Sequence, residues 1–325
     1  MPDFRSDNVL GCSPEILAAL ARENSGTDTS YGGDAVTARL RERCCKLFET
    51  EVDIFPVVTG TAANALALSA LTPRSGTVLC HEDAHILRDE DGATELLSGG
   101  ARLLPMPGAD GKLHELQPAS SISITNATEA GTVYSVDEIR ALHRDLPMHM
   151  DGARFANAVA ATGASPADLT WRSGVDVLTF GATKNGALAA ELIVLFRREL
   201  AEVLAALHQR SGHRVSKMRF ISAQFEAYLA DDLWLRNARH ANAMAARLAR
   251  SLADARIEIV RPVHANIVFA RFPPALAASL HDSGFQFYSW SIFGPDIYRL
   301  VCGFATSAED VDALAAACAR PARPL

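Results

Sequence analysis

Five short apolar stretches, TVLCH, ARLLPM, SISIT, PMHMD and DVLTFG, recur between residues 77 and 181, mostly with helix-length segments between them. Each is too short for a helix and apolar enough for a buried strand. Strands that alternate with helices predict a mostly parallel sheet covered on both faces. The following stretch, ELIVLF, comes too soon after DVLTFG for a helical crossover, so that pair is expected to be antiparallel.

The flanking elements fit the same scheme. Ser13-Pro14 reads as a cap and first helical position of a helix running to Asn24. Val36, Leu40, Cys44, Leu47 and Phe48 recur at helical spacing behind Asp34, a helix cap. DIFPVV is a short strand whose Pro56 suits a sheet edge. TAANALALSAL is apolar nearly all round and predicts a buried helix. Residues 218 to about 255 lack proline and glycine and read as one helical stretch, long enough to bridge two domains. Beyond it, IEIV, NIVFARF, FQFYSW and YRLVCGF are strands with one helix among them, and SAED opens a last helix over 307–319. The expectation is therefore a large domain over 1–239 and a smaller C-terminal α+β domain over 240–325.

Composition narrows the function. The chain has 325 residues, ample for a large core. A net charge of −7, without a basic cluster, argues against nucleic-acid binding. No apolar run approaches the roughly 20 residues of a membrane span, and the charged start MPDFRSDNV lacks a signal peptide's apolar core. The six cysteines show no metal-type spacing and read as reduced residues of a cytoplasmic protein.

Open α/β sheets bind ligands outside the carboxyl ends of their strands. There this sequence places polar or glycine-containing segments: TGT, HEDAH, NATEAG, DGAR and GATKNG. Thr59-Gly60-Thr61 at a helix start offers free amides for a phosphate, or simply a turn and a cap. Asp151 either caps the next helix or holds a protonated heteroaromatic nitrogen. Lys184, one crossover on, is a solvated loop residue or a nucleophilic amine. Together the three supply one group for each feature of pyridoxal phosphate (PLP): phosphate, ring nitrogen and aldehyde. HEDAH, residues 81–85, matches the HExxH pattern of zinc hydrolases. It starts at a strand end and no third ligand declares itself, so no metal is expected. His85 is expected to stack on a flat cofactor and His81 to be a solvated loop residue. Arg154 and Arg299 are candidates for a substrate carboxylate, and Arg299 lies inside an apolar strand. Ser6-Asp7 would line a site only if the N-terminal arm folds back.

With these residues in view, the sequence resembles the threonine aldolases, PLP enzymes of fold type I (aspartate aminotransferase-like). The similarity is carried in order by FRSDNV, SYGGDAVTARL, TGTAANALAL, HEDAHI, ATEAGTVYS, HMDGARFANA, FGATKNGALAAE and SKMRFISAQ, and by the C-terminal YRLVCGFATSAEDVD. The resemblance implies that Lys184 is the Schiff-base lysine and that Asp151 binds the pyridine nitrogen. It gives His85 the stacking position, next to the substrate hydroxyl. Gly60 and Thr61, with Arg219, would hold the phosphate. Ser6, Arg154 and Arg299 would hold the substrate carboxylate, and Tyr31 would reach in from a neighbouring subunit of a homotetramer built as a dimer of dimers. The substrates implied are an amino acid and an aldehyde. Glu129 stands where many members carry a histidine, and GATKNGAL replaces their SKGLGAP. Both features resemble the branch containing pseudomonad-type L-threonine and phenylserine aldolases, with Glu129 a partner for His85 or a water. β-Elimination and transamination would use the same cofactor residues, so they stay open as alternatives.

Overall fold

The computed structural model describes residues 2–143 and 146–319. In chain order its elements are α1 (Pro14–Glu23), α2 (Ala35–Leu47), β1 (Asp53–Val57), α3 (Gly60–Leu71), β2 (Thr77–His81), α4 (His85–Arg88), α5 (Ala93–Ser98), β3 (Arg102–Met106), β4 (Ser121–Thr125), α6 (Val136–Leu142), β5 (Met148–Gly152), α7 (Phe155–Thr162), β6 (Val177–Gly181) and β7 (Glu191–Leu195). There follow α8 (Ala201–Arg210), α9 (Arg219–Tyr228), α10 (Leu233–Asp254), β8 (Glu258–Ile259), β9 (Ile267–Arg271), α11 (Pro274–Asp282), β10 (Tyr288–Ser289), β11 (Ile297–Val301) and α12 (Ala308–Cys318).

Among the described residues, seven strands form one sheet in the order β1-β7-β6-β5-β4-β2-β3. β3, β2, β4, β5 and β6 are parallel, while β7 runs against both β6 and β1. The short β6–β7 connection permits only that reversal, as expected from the sequence. Two reversals restore direction, so β1 runs with β6. The carboxyl ends of β1, β2, β4, β5 and β6 therefore share one edge, where β7 begins at Glu191. Pro56 lies in the outer strand β1, where its missing N–H leaves no gap in the sheet.

Helix α3 is buried as its composition predicts, and its residues pack on Val177, Ile193 and Leu195. The opposite side holds an aromatic cluster in which Phe180 meets Phe48, Phe155, Phe225 and Trp234 at ring separations of 5.4–6.2 Å. Asp34 caps α2 by accepting from the Thr37 N–H at 2.8 Å. Ser13 precedes α1 but makes no side-chain cap; its hydroxyl accepts from Asn237 instead.

A second, antiparallel sheet has the order β10-β11-β9-β8. Its core joins Phe272, Phe287, Leu300 and Val311 to Leu248 and Leu252 of α10. The strands expected from IEIV and FQFYSW shorten to two residues each. The N-terminal arm does fold back: Phe4 lies in this second core, and its backbone bonds Gln286 and Val301. The one long helix expected from residue 218 is a correction. The chain breaks between α9 and α10, where Asp231 and Asp232 take left-handed φ of 49° and 58°. Aspartate tolerates that conformation because its short polar side chain can bond locally, so a break needs neither proline nor glycine.

Candidate active site

The site is built at the shared strand edge. Asp151, near the end of β5, is 2% exposed. Its carboxylate accepts from the Ala153 N–H and from Asn64 Nδ2, both at 3.0 Å. It does not cap α7, whose cap position is Arg154. Burial opposes its charge, yet His85, the Ala153 N–H and Lys184 hold it below the usual carboxylate range. Asn64 is a buried polar residue of the apolar helix α3, and it ties that helix to the base of the site.

Lys184 lies in a tight turn, Thr183–Asn185, directly after β6. The turn is fixed from outside. Asn185 Nδ2 donates to the Tyr228 hydroxyl at 2.7 Å and to the Trp234 carbonyl at 2.8 Å, and its own carbonyl accepts from Asn237. Gly186 closes the turn with φ of 113°, and a Cβ there would collide with the Ser13 and Asn237 side chains. Gln224 accepts from the Leu188 and Ala189 N–H groups. The ammonium of Lys184 acts on Asp7, Asp151 and Glu191, whose carboxylates it helps keep ionised, and on His85.

The HEDAH segment does not form a zinc helix. His81 ends β2 and His85 begins α4, so the two do not share a helical face. His81 is also not solvated: it is 6% exposed, with Nδ1 accepting from the Asp83 N–H and Nε2 bonded to the Gly108 carbonyl. The expectation of a solvated histidine fails because the ring is enclosed, with the Gly108 carbonyl on one nitrogen and the Asp83 N–H on the other. His85 Nδ1 is hydrogen-bonded to Glu90 Oε1 at 2.9 Å. Glu90 holds the imidazole above its ordinary range, against the opposing effect of burial.

Helix α3 starts at Gly60 with Thr59 as its cap, accepting from the Ala62 N–H. The Gly60 and Thr61 amides face no acceptor among the described residues, and a Cβ on Gly60 would meet open space. Such an N-terminus favours an anion.

Two arginines approach the opposite side. Arg154 is 4% exposed, and its Nε and Nη2 bind Asp7 at 2.8 and 3.0 Å. Its remaining Nη1 lies 3.9 Å from Glu129 Oε1. Asp7 belongs to a short turn, capped by Ser6, that packs against the Lys184 turn. Arg299 stacks over Trp290 at 4.2 Å, and its buried Nε has no hydrogen-bond partner. Burial, and repulsion from Arg154, lower its affinity for its proton. Arg299, with an unfilled buried donor, and the Arg154 Nη1 that Asp7 leaves unbonded suit a small anion.

The structure thus brings together Lys184, Asp151, His85, Glu129, Arg154 and Arg299, with Gly60 and Thr61 linked through α3 and Ser6 through Asp7. It does not bring Tyr31 or Arg219 to them. Tyr31, half exposed, lines a cavity with Pro56, His208, Arg214 and Met218, and Arg219 stacks on Phe220 beside it. Sequence reasoning missed Asn64, Glu90 and Glu191. Asn64 and Glu191 were signalled as isolated polar residues in apolar elements; Glu90, in the charged run LRDEDG, carried no signal. Glu191 is buried with Oε2 unpartnered, and burial pushes its carboxyl up to about 7.

Comparison with known proteins places this geometry. A family model described as beta-eliminating lyase matches residues 3–273. The low specificity L-threonine aldolase of a Pseudomonas species is 41% identical, over 96% of each chain. That of Pseudomonas aeruginosa is also 41% identical, over 96% of this chain and 95% of its own. The solved structure of Leishmania major threonine aldolase superposes with a TM-score of 0.90 at 26% identity, over 98% of each chain. A family model spanning most of the sequence, near-full-length relatives and a matching fold agree: the chain belongs to the beta-eliminating lyase family, in its threonine aldolase group, with the type I fold.

Proposed function

We propose that this protein is a PLP-dependent L-threonine aldolase, cleaving L-threonine and related L-β-hydroxy-α-amino acids to glycine and an aldehyde. One observation carries the reading: Asp151, Lys184 and His85 converge at the strand edge of a chain 41% identical to low specificity L-threonine aldolases.

The residues present fit PLP. The open amides of Gly60 and Thr61 suit its phosphate, the buried Asp151 carboxylate its protonated ring nitrogen, the flat His85 ring its face, and the Lys184 amine its aldehyde. When bound, the cofactor supplies an electron sink for the bond that breaks at the amino acid's α-carbon. The chain's own groups do the rest. Asp151 keeps the nitrogen charged. Arg299, with its unfilled Nε, and the free edge of Arg154 orient the substrate carboxylate, and that orientation decides which α-carbon bond is broken. His85 takes the β-hydroxyl proton on Nε2, with Glu129 beside Arg154 placed to hold a water.

Arg219 and Tyr31 lie apart from this cluster within one chain. In the proposed homotetramer they serve a neighbouring subunit's site, Arg219 at the phosphate and Tyr31 at the substrate. The proposed setting is the cytoplasm, supported by six cysteines without disulfides. No helix among the described residues is long and apolar enough to cross a membrane.

The test is acetaldehyde release from L-threonine by PLP-loaded protein, with Lys184→Ala beside it. Wild type is expected to release acetaldehyde and glycine in equal amounts, and the variant none. A near-normal rate in Lys184→Ala removes the lysine from its role; no aldehyde from threonine or phenylserine removes the aldolase reading.

A further inference from the structure

Glu90 is an enclosed carboxylate of the site, with a side chain of 0% exposure. A carboxylate is costly to bury unless donors surround it. Glu90 has two, and both go to one oxygen: His85 Nδ1 at 2.9 Å and Asn64 Nδ2 at 2.9 Å. Its other oxygen has no partner, and neither does the Asn64 carbonyl oxygen. Asn64 Nδ2 also reaches Asp151 Oδ2 at 3.0 Å. The chain Asp151–Asn64–Glu90–His85 therefore runs from the cofactor-nitrogen position to the imidazole. An arrangement that enclosed Glu90 only to hold α3 would need Asn64 alone. The bond to His85 instead fixes which imidazole nitrogen carries the proton. Burial raises the Glu90 carboxyl above its ordinary range, and the bonds to His85 and Asn64 oppose that rise; an ionised Glu90 oxygen accepts, and Nδ1 then donates. The neutral ring is then left with its lone pair on Nε2, which bonds none of the described residues.

We propose that Glu90 is the positioning residue of the proposed base: it holds Nδ1 of His85 protonated and turns the basic Nε2 toward the substrate hydroxyl. This rests on the reading of His85 given above. The charged groups acting on His85 come from every neighbouring element. Glu90 follows α4, Asp151 ends β5, Glu129 follows β4 and Lys184 follows β6. The first three favour the imidazolium, with Glu90 foremost, and Lys184 opposes it. A base must be neutral to accept a proton, so the pH at which Glu90 lets His85 deprotonate sets the acid limb of the reaction.

The experiment is nitrogen NMR of full-length protein labelled at histidine, with and without PLP, for wild type, Glu90→Gln and Glu90→Ala; His85→Asn identifies the signal. Wild type is expected to show neutral His85 protonated at Nδ1. Glu90→Gln keeps an acceptor but loses the charge, so it should keep that tautomer and deprotonate at lower pH. The acid limb of its kcat/KM should move to lower pH with it. Glu90→Ala should lose the tautomer preference and about 100-fold in kcat/KM, the lower end of what a positioned base supplies. Wild-type His85 protonated at Nε2, or a titration unchanged in Glu90→Gln, overturns the proposal. The isosteric Gln variant keeps the test open if the Ala variant misfolds. The spectra do not depend on the reaction, so absent aldehyde release would sink the aldolase reading and leave the tautomer result standing.

Discussion

Arg154 shows how a residue's role is decided by its neighbour. Both arms of its fork are taken by Asp7, leaving one nitrogen toward Glu129. Both partners are buried, at 4% and 3% exposure. Removing one charge of a buried pair strands the other, at a cost of about 3–5 kcal/mol. Asp7→Asn is therefore expected to lower stability by about that amount, read from urea unfolding. It should also raise the KM for the amino acid, because Arg154 is no longer held. Unchanged stability would mean that solvent or another carboxylate relieves the charge. The sequence marked Arg154 and, for an arm that folds back, Ser6 and Asp7; that Asp7 occupies Arg154 could not be read from it, since the two lie 147 residues apart.

At the scale of elements, the Lys184 turn is held from several sides. It is held by α1, α9 and α10 through Ser13, Gln224, Tyr228, Trp234 and Asn237. Gly186→Ala combines a left-handed backbone with a filled space. It should destabilise the protein by about 1–3 kcal/mol and weaken cofactor retention, as measured by thermal unfolding and by the absorbance of bound PLP. Full retention of both would show that the turn tolerates movement. The sequence placed this turn correctly, because a strand followed by glycine and polar residues is a local pattern. It did not show the break at Asp231-Asp232, because helical periodicity continues across a break that two aspartates make by backbone conformation alone.

At the scale of the whole molecule, the sheet encloses a histidine that bears on acid stability. His149 on β5 is fully buried between Ser123 of β4 and Thr179 of β6, bonded to both. Burial pushes its imidazole down to about 4, from 6.5 in a free side chain. Between those values the unfolded chain holds a proton that the native state refuses, so stability falls as pH drops through that window. The loss amounts to about 3 kcal/mol. Urea unfolding at pH 7 and pH 4.5 should show a smaller pH dependence in His149→Asn than in wild type; equal slopes would place the acid sensitivity elsewhere. We also propose that the division at 239/240 is a domain boundary. It falls within α10, whose first turns pack in the large core and whose last turns pack on the second sheet.

The sequence by itself determined the alternation of elements, the antiparallel β6–β7 turnback and the strand edge that carries the polar segments, among which Lys184, Asp151 and His85 stood out as candidates. These rest on side-chain periodicity and turn chemistry, which act over a few residues. Only the tertiary structure decided which partner each charge received: Asp7 for Arg154, Glu90 for His85, Asn64 between Glu90 and Asp151, and an unpaired Nε for Arg299. Such pairings follow from the path of the chain, and what fixes them is the cost of burying a charge without a partner, which no local stretch of sequence can register.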